Sequence, residues 1–350
     1  MRILIDIGHP AHVYLFKNFY HEMKRRGNDT FVTVKDLPAA IKLLDLFGIP
    51  HINIGAKSDR ISGKAINQLL YNLRILSVVW SKHIEIGVGS SLTLAHVSKI
   101  SRMKSVIFDD DDDDVQLLMT RYGHPFADYI VSPSSLEGHR KRKDTMFYKG
   151  YHELAYLHPA KFTPDRSVLK EAGLTESEPF FILRFNAFRA HHDKDAGGLR
   201  IDQKRELIQY VQKFGRIIIT GESELEPEFR QYSLNISPDK IHSLLFFCKM
   251  FLGDSQTMTS EAAVLGVPAI RCNTFAGRIS YLEEEEKVYG LTYAFHPMEF
   301  DRMMAKIKEL LSTPDLKQRW QKKRETMLSE MIDVTDFMVN LAEDIYAGLR

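Results

Sequence analysis

Residues 250–272, MFLGDSQTMTSEAAVLGVPAIRC, run from an apolar strand into a polar Ser/Thr turn, continue as a short Ala-rich helix, and leave through Gly266, Val267 and Pro268. A helix starting near Ser255, Gln256 and Thr257, just after Gly253, presents unpaired backbone N–H groups and a positive dipole end. Both suit a diphosphate without any metal. Glu261 falls about one turn further in. A carboxylate there can accept hydrogen bonds from both vicinal hydroxyls of a ribose, as an acidic residue does in dinucleotide folds. It can equally be a first-turn acid that complements the dipole of an ordinary capped helix. Gly266 and Pro268 are ordinary stop signals.

Outward from this unit the same alternation recurs, as stacked βαβ units of a parallel sheet require. Residues 2–7, 31–34, 52–54, 84–88, 105–108 and 129–131 read as strands, with helical spacing over 11–26, 37–47, 63–82 and 93–100. An aromatic, His- and Pro-rich stretch at 148–164, YKGYHELAYLHPAKFTP, separates these from a second set. There strands are predicted at 180–185, 216–220 and 249–253, and helices at 166–172, 202–214, 238–247 and 258–265. After Pro297 the chain turns helical, first over 298–311 and then in a long charged pattern from Leu316 towards Leu349. At 350 residues the chain exceeds a typical single core. The expectation is an α/β protein of two doubly wound Rossmann-like domains facing a cleft. They are placed at 1–150 and 165–312, with a linker at 151–164 and a helical segment, 313–350, able to pack back on the first domain.

Composition is that of an ordinary soluble protein: 44% hydrophobic, 27% charged, net charge +1. It gives no electrostatic footprint for nucleic acid. Residues 1–150 hold 21 basic and 16 acidic side chains, and the remainder 26 and 30. That asymmetry would favour an anionic acceptor or a membrane surface on the first half. Cys248 and Cys272 are the only cysteines, which argues against a disulfide framework or a thiolate metal site and points to a reducing cytoplasm. No run reaches the roughly 20 apolar residues of a membrane span, since Asn72 and Arg74 interrupt 69–80. Membrane contact would be peripheral, and the basic run RKRK at 140–143 is its candidate.

In an open α/β sheet the carboxyl ends of strands face the ligand. Strand one ends in Gly8, His9 and His12; Gly8 allows a close ligand approach, and a His here can take a proton from an acceptor hydroxyl. Six aspartates, 109–114, follow another strand. They can stabilise a helix dipole, hold a metal, act as a base or form a solvated loop. The favoured reading is mixed, with Asp109 or Asp110 at the ligand and the later ones capping the next helix. Arg184 ends the first strand of the second set, where it can pair bidentately with phosphate. The loop after it carries Asn186, His191, His192 and Asp193. Thr220, Gly221 and Glu222 end the next strand and could touch a nucleotide, and 236–242 could read a base edge. The tract 283–286 reads as a solvated helix face.

Two parallel-sheet halves, a His-containing turn after strand one, and the late strand, Ser/Thr turn, Glu-bearing helix and Gly-x-Pro exit together resemble GT-B glycosyltransferases and their relatives, the UDP-GlcNAc 2-epimerases. The chain is most similar to the branch catalogued as domain of unknown function 354. IDIGHPAHV at 5–13, IFDDDDD at 107–113, FADYIVSP at 126–133, KGYHELAYLHP at 149–159 and GDSQTMTSEAAVLGVPAI at 253–270 carry this likeness. The resemblance implies Ser255, Gln256 and Thr257 on a diphosphate and Glu261 on a ribose. His12 looks like the His of the N-terminal turn in these transferases; with Asp109 or Asp110 it is the candidate base, and Arg184 with the helix start at Ser255 would stabilise the leaving diphosphate. The implied activity is transfer of a sugar from a nucleoside diphosphate, with UDP expected, to a glycan or lipid-linked acceptor in surface-polysaccharide or lipid-linked glycan synthesis. No cofactor is implied, with Mg²⁺ at 109–114 as the alternative. The Thr-His-Arg and His-Val-Glu-Ala-Gly signatures of the epimerases are absent, which ranks 2-epimerisation second. Nucleotide-sugar binding without turnover is the third reading.

Overall fold

The computed structural model describes residues 1–55, 61–185, 197–221, 225–234 and 236–349. The chain forms two compact units, Met1–Lys161 together with Ile332–Arg350, and Phe162–Met331. In chain order the first contains β1 (Arg2–Ile7), α1 (Pro10–Arg25), β2 (Asp29–Val34), α2 (Pro38–Leu46), β3 (Ile52–Asn53), α3 (Ile61–Lys82), β4 (Ile86–Gly89), α4 (Leu92–Ser98), β5 (Lys104–Phe108), α5 (Leu117–Tyr122), β6 (Tyr129–Pro133), β7 (Met146–Tyr148) and α6 (Leu154–Leu157). The second contains α7 (Ser167–Glu171), β8 (Phe180–Arg184), α8 (Ile201–Val211), β9 (Arg216–Thr220), α9 (Ile241–Phe247), β10 (Met250–Gly253), α10 (Gln256–Leu265), β11 (Ala269–Cys272), α11 (Ser280–Lys287), β12 (Thr292–Phe295), α12 (Phe300–Leu311) and α13 (Leu316–Glu330). The final helix, α14 (Val334–Ala347), belongs to the first unit.

Both sheets are parallel, ordered β3-β2-β1-β4-β5-β6-β7 and β12-β11-β10-β8-β9. Their central strands read as near-continuous apolar runs, such as β1 and β10, because helices cover both faces. In each sheet the strand order reverses beside its first strand. The reversal falls between β1 and β4 in the first unit and between β8 and β10 in the second. Ligands of open α/β sheets settle outside the carboxyl ends at such points.

Three boundaries differ from the sequence expectation. The stretch 151–161, expected to begin a linker, is structured: Leu154, Ala155, Tyr156 and Leu157 are buried. The Ala155 carbonyl accepts from Asn18 Nδ2 at 2.8 Å and from Thr335 Oγ1 at 2.7 Å. The short β7 escaped notice because three residues carry too little alternation to register. The charged pattern from Leu316 is two helices that part company. Trp320 Nε1 of α13 donates to the Leu291 carbonyl at 2.7 Å and Arg324 Nε to that of Val264 at 2.7 Å, keeping α13 in the second unit. Ile332 N–H donates to Lys149 O at 2.9 Å, and α14 lies with α1 and α6.

The α11 face is not solvated throughout. Glu285 is fully buried and accepts from Ser260 Oγ. Glu286 accepts the Ala294 N–H at 2.9 Å, and burial, with Glu283 nearby, pushes its carboxyl up to about 7.

Candidate functional site

In the second unit, β10 ends in Gly253 because no larger residue fits: a Cβ there would stand 2.2 Å from the Arg184 carbonyl oxygen of the neighbouring strand. Its role in the structure is close strand packing. Gly253→Ala is expected to cost at least about 2 kcal/mol in urea unfolding, since backbone and not a flexible side chain must move. Ser255 then caps α10, its Oγ accepting from Met258 N–H at 3.3 Å, and α10 stops at Gly266 in the left-handed region (φ 70°). Gln256 and Thr257 are half-buried in the first turn. Arg184 ends β8 in register with both Gly253 and Thr220, so the three lie side by side on adjacent strand ends at the reversal point. Thr220 Oγ1 is buried and without a hydrogen-bond partner, and Gly221 next to it is exposed.

Glu261 is 4% exposed, and its Oε1 lies 2.9 Å from Nε2 of His242 on α9. His242 falls within 236–242, where the sequence suggests a base edge and gives no sign of a partner for Glu261. Arg271, near the end of β11, is 1% exposed with a buried, unpartnered Nε, and burial lowers its pKa. It too was missed, since a single Arg in an apolar strand carries no pattern. Asn186, Glu222, His191, His192 and Asp193 lie outside the described residues.

In the first unit, His9 caps α1: its Nδ1 accepts the Ala11 N–H at 3.2 Å. A Cβ on Gly8 would meet only the His12 ring, at 3.8 Å, and Lys35 Nζ, at 4.0 Å, so the turn itself does not demand glycine. His12 Nδ1 accepts the Gly8 N–H at 3.3 Å. A neutral ring therefore carries its proton on Nε2 and offers a ligand a donor. Burial, with His9, His152 and Lys35 close by against an opposing Asp110, drives the His12 pKa down to about 3. Asp6 lies beneath, fully buried, held by Thr33 Oγ1 at 2.9 Å and Ser91 Oγ; its pKa is raised because burial outweighs Lys35 and these donors.

The aspartate run is divided by its partners. Asp109 accepts from His124 Nε2 at 2.7 Å and lies 3.3 Å from Arg140. Asp113 takes Arg140 Nη1 at 2.8 Å and the Lys141 N–H at 2.8 Å. Arg140 also donates to Ser132 Oγ and to the Asp109 and Asp111 carbonyls. It is thus a buried tie, 8% exposed, and not part of a basic surface run; Arg142 is likewise engaged by Asp144 and the His124 and Ala127 carbonyls. The later aspartates do not cap α5 with their side chains, because its N-cap is Gln116 and no side-chain cap bond forms there.

Asp110 Oδ2 lies 3.0 Å from Nδ1 of His152, in the turn before α6. Burial alone would lower the His152 pKa and raise that of Asp110; their mutual attraction prevails and moves each the other way. His152 Nε2 is buried and has no partner, and the Tyr148 ring stacks on the imidazole at 6.4 Å and 9°. An Asp-oriented imidazole with its far nitrogen open is an acid–base arrangement. Its histidine lay in the presumed linker, where composition drew attention and chemistry did not. The Asp109, Asp110 and Asp111 carboxylates lie close enough to share one cation, though Arg140 and His152 already supply positive charge to two of them.

Residues 1–345 match the family described as protein of unknown function DUF354. The chain belongs to this family. Among curated proteins, the DUF354 chain is 21% identical to the uncharacterised protein MJ0665 of Methanocaldococcus jannaschii over 306 residues, 82% of this chain and 86% of that one. Among solved structures it resembles the UDP-GlcNAc 2-epimerase of Neisseria meningitidis bound to UDP-GlcNAc, with a TM-score of 0.69 and 12% identity over 100% of this chain and 99% of that one. The glycosyltransferase VinC in complex with dTDP matches at a TM-score of 0.60 and 13% identity, over 98% and 99%. At these identities the likeness establishes the fold: two parallel α/β sheets of the kind found in GT-B glycosyltransferases and UDP-GlcNAc 2-epimerases, with a helical C-terminal segment.

Proposed function

We propose that this DUF354 protein is a glycosyltransferase that binds a nucleoside diphosphate sugar, with UDP as the nucleotide, on its second unit and passes the sugar to a glycan or lipid-linked acceptor. The observation that carries this is the grouping at the β8–β10 reversal point of the Ser255-capped helix start, Arg184, Thr220 and the His242-oriented Glu261. Free N–H groups at the start of α10, with Arg184, suit a leaving diphosphate, and Glu261 suits the ribose hydroxyls. On the first unit His152, oriented by Asp110, is the group suited to take a hydroxyl proton from the acceptor; in the transfer the acceptor oxygen bonds to the anomeric carbon. The bonding electrons of the breaking C–O bond leave with the diphosphate. His12 contributes its Nε2–H as a donor.

A second reading, UDP-sugar 2-epimerisation, is favoured by one feature. Burial and the neighbouring Asp110 and Asp109 push the Asp111 carboxyl up to about 7, beside the Asp110–His152 pair. Elimination and re-addition of UDP would use two acid–base groups. Deuterium entering the sugar at C2 without an acceptor would identify this reaction.

The test is calorimetric titration with UDP, GDP, dTDP, CMP and ADP, with and without Mg²⁺. Metal-independent binding of UDP is expected, weakened about tenfold or more in Glu261→Gln, which keeps the volume but gives up charge-assisted hydrogen bonds to the ribose. Absence of binding to every nucleotide would refute the reading.

A further inference from the structure

The pair formed by His242 and Glu261 is closed off from solvent: the two residues are 2% and 4% exposed, and Nε2 stands 2.9 Å from Oε1. A ring nitrogen that faces a carboxylate carries the hydrogen, so His242 donates and Glu261 accepts. The imidazole is itself held in place. Ser243 Oγ, on the next residue, accepts the Asp165 N–H at 3.0 Å and fixes the start of α9. The Phe162 ring meets the imidazole nearly at right angles, with centroids 6.4 Å apart. Glu261 lies in the second turn of α10, whose first turn is pinned by the Ser255 cap. Ser260 and Ala262 on either side of it are fully buried, so its backbone has no room to shift.

This arrangement decides how the carboxylate meets a sugar. A carboxylate offers about four lone-pair sites; His242 takes one and thereby fixes the direction of the others. Against a fixed carboxylate a ribose donates both of its vicinal hydroxyls. A 2′-deoxyribose donates one and leaves a buried, charged acceptor short of a partner. A glutamate free to change rotamer would turn toward whichever hydroxyl remained, and much of that difference would disappear. Holding the flexible side chain beforehand also removes an ordering cost that nucleotide binding would otherwise meet.

We propose that His242 is the positioning residue that makes the nucleotide site selective for ribonucleotides: through Nε2 it holds Glu261 in the one orientation that receives both the 2′- and the 3′-hydroxyl. The donor class is then a ribonucleoside diphosphate sugar, and 2′-deoxy donors are rejected. The inference rests on Glu261 as the ribose acceptor of the proposed function. It holds for sugar transfer and for 2-epimerisation alike, because both start from the same bound nucleotide.

The full chain is titrated calorimetrically with UDP and with 2′-deoxy-UDP, as wild type, His242→Gln and His242→Leu. Wild type is expected to bind UDP at least about tenfold more tightly, the worth of one charge-assisted hydrogen bond. His242→Gln carries an amide N–H at about the reach of Nε2 and should keep that ratio to within about threefold. His242→Leu fills the space and donates nothing, and the ratio should fall to about twofold or less while UDP itself binds more weakly. A residue that only packs would weaken both nucleotides equally and leave the ratio alone. Should the leucine variant fail to melt cooperatively, His242→Asn, polar but too short to reach Oε1, makes the same comparison. The proposal is overturned if leucine preserves the ratio, if glutamine loses it as fully as leucine, or if wild type binds the two nucleotides alike. Wild type that binds neither overturns the donor site and this inference with it, a result distinct from a site that binds UDP without regard to residue 242.

Discussion

Asp110→Asn is expected to lower kcat by roughly four orders of magnitude while leaving nucleotide affinity within about twofold. The size follows from what the carboxylate does for His152: it fixes the imidazole with Nδ1 protonated and stabilises the imidazolium formed on taking a proton. An amide of the same shape can present its N–H to Nδ1 and select the wrong tautomer. The pH profile separates this role from a merely structural one. Asp110 raises the His152 pKa, and a general base works when neutral, so the rate should climb with pH through that raised value. Removing the charge lowers the His152 pKa, and the limb should move to lower pH even as the plateau falls. A limb that stays in place, or a kcat reduced less than tenfold, would remove the dyad from the mechanism. His12, with its pKa near 3, stays neutral across this range and contributes no limb.

Arg140→Met is expected to cost about 3–5 kcal/mol of stability at neutral pH, because it strands buried Asp109 and Asp113 without their cation. Methionine keeps much of the volume, so the loss reports charge and hydrogen bonding more than a cavity. The pH dependence has a definite sign. Burial would raise the Asp113 pKa, but the Lys141 N–H and Arg140 lower it overall. A depressed folded-state pKa gives stability that is present above the ordinary carboxylate value and lost as pH falls through the folded one. The variant forfeits that contribution, so the gap between wild type and Arg140→Met should be widest near pH 7 and narrow as Asp113 protonates below about pH 4. Urea unfolding at pH 7 and at about pH 2.5 measures both. A gap that is constant with pH would mean that Arg140 acts through packing alone.

The architecture was legible because its signals are long and periodic. β1, β5, β8 and β10 announce themselves as apolar runs, and α10 is bracketed by a Ser cap and a Gly stop. The C-terminal pattern from Leu316 was legible as helix but not as two helices, because its break at 331–333 depends on Ile332 reaching Lys149, a contact between residues 183 positions apart. The same limit hid the acid–base pair. Asp110 stands out in the sequence only as one of six consecutive aspartates, and what distinguishes it is His152, which pairing in space and not spacing in sequence supplies. Arg140 shows the reverse error: four consecutive basic residues suggest a surface, and only the Asp109 and Asp113 carboxylates reveal that the first of them is buried.

The return of α14 to the first unit has a consequence for synthesis. The second unit is an insertion within the first, which is not complete until Ile332–Arg350 has left the ribosome. Domains form as they emerge, so the second unit can reach its native state while the first still lacks the helix that covers α1 and α6. Truncation before Ile332 should therefore expose the unit whose strands are made first and spare the one whose strands are made last, and proteolysis of such a fragment should trim residues 1–161 in preference to 162–331.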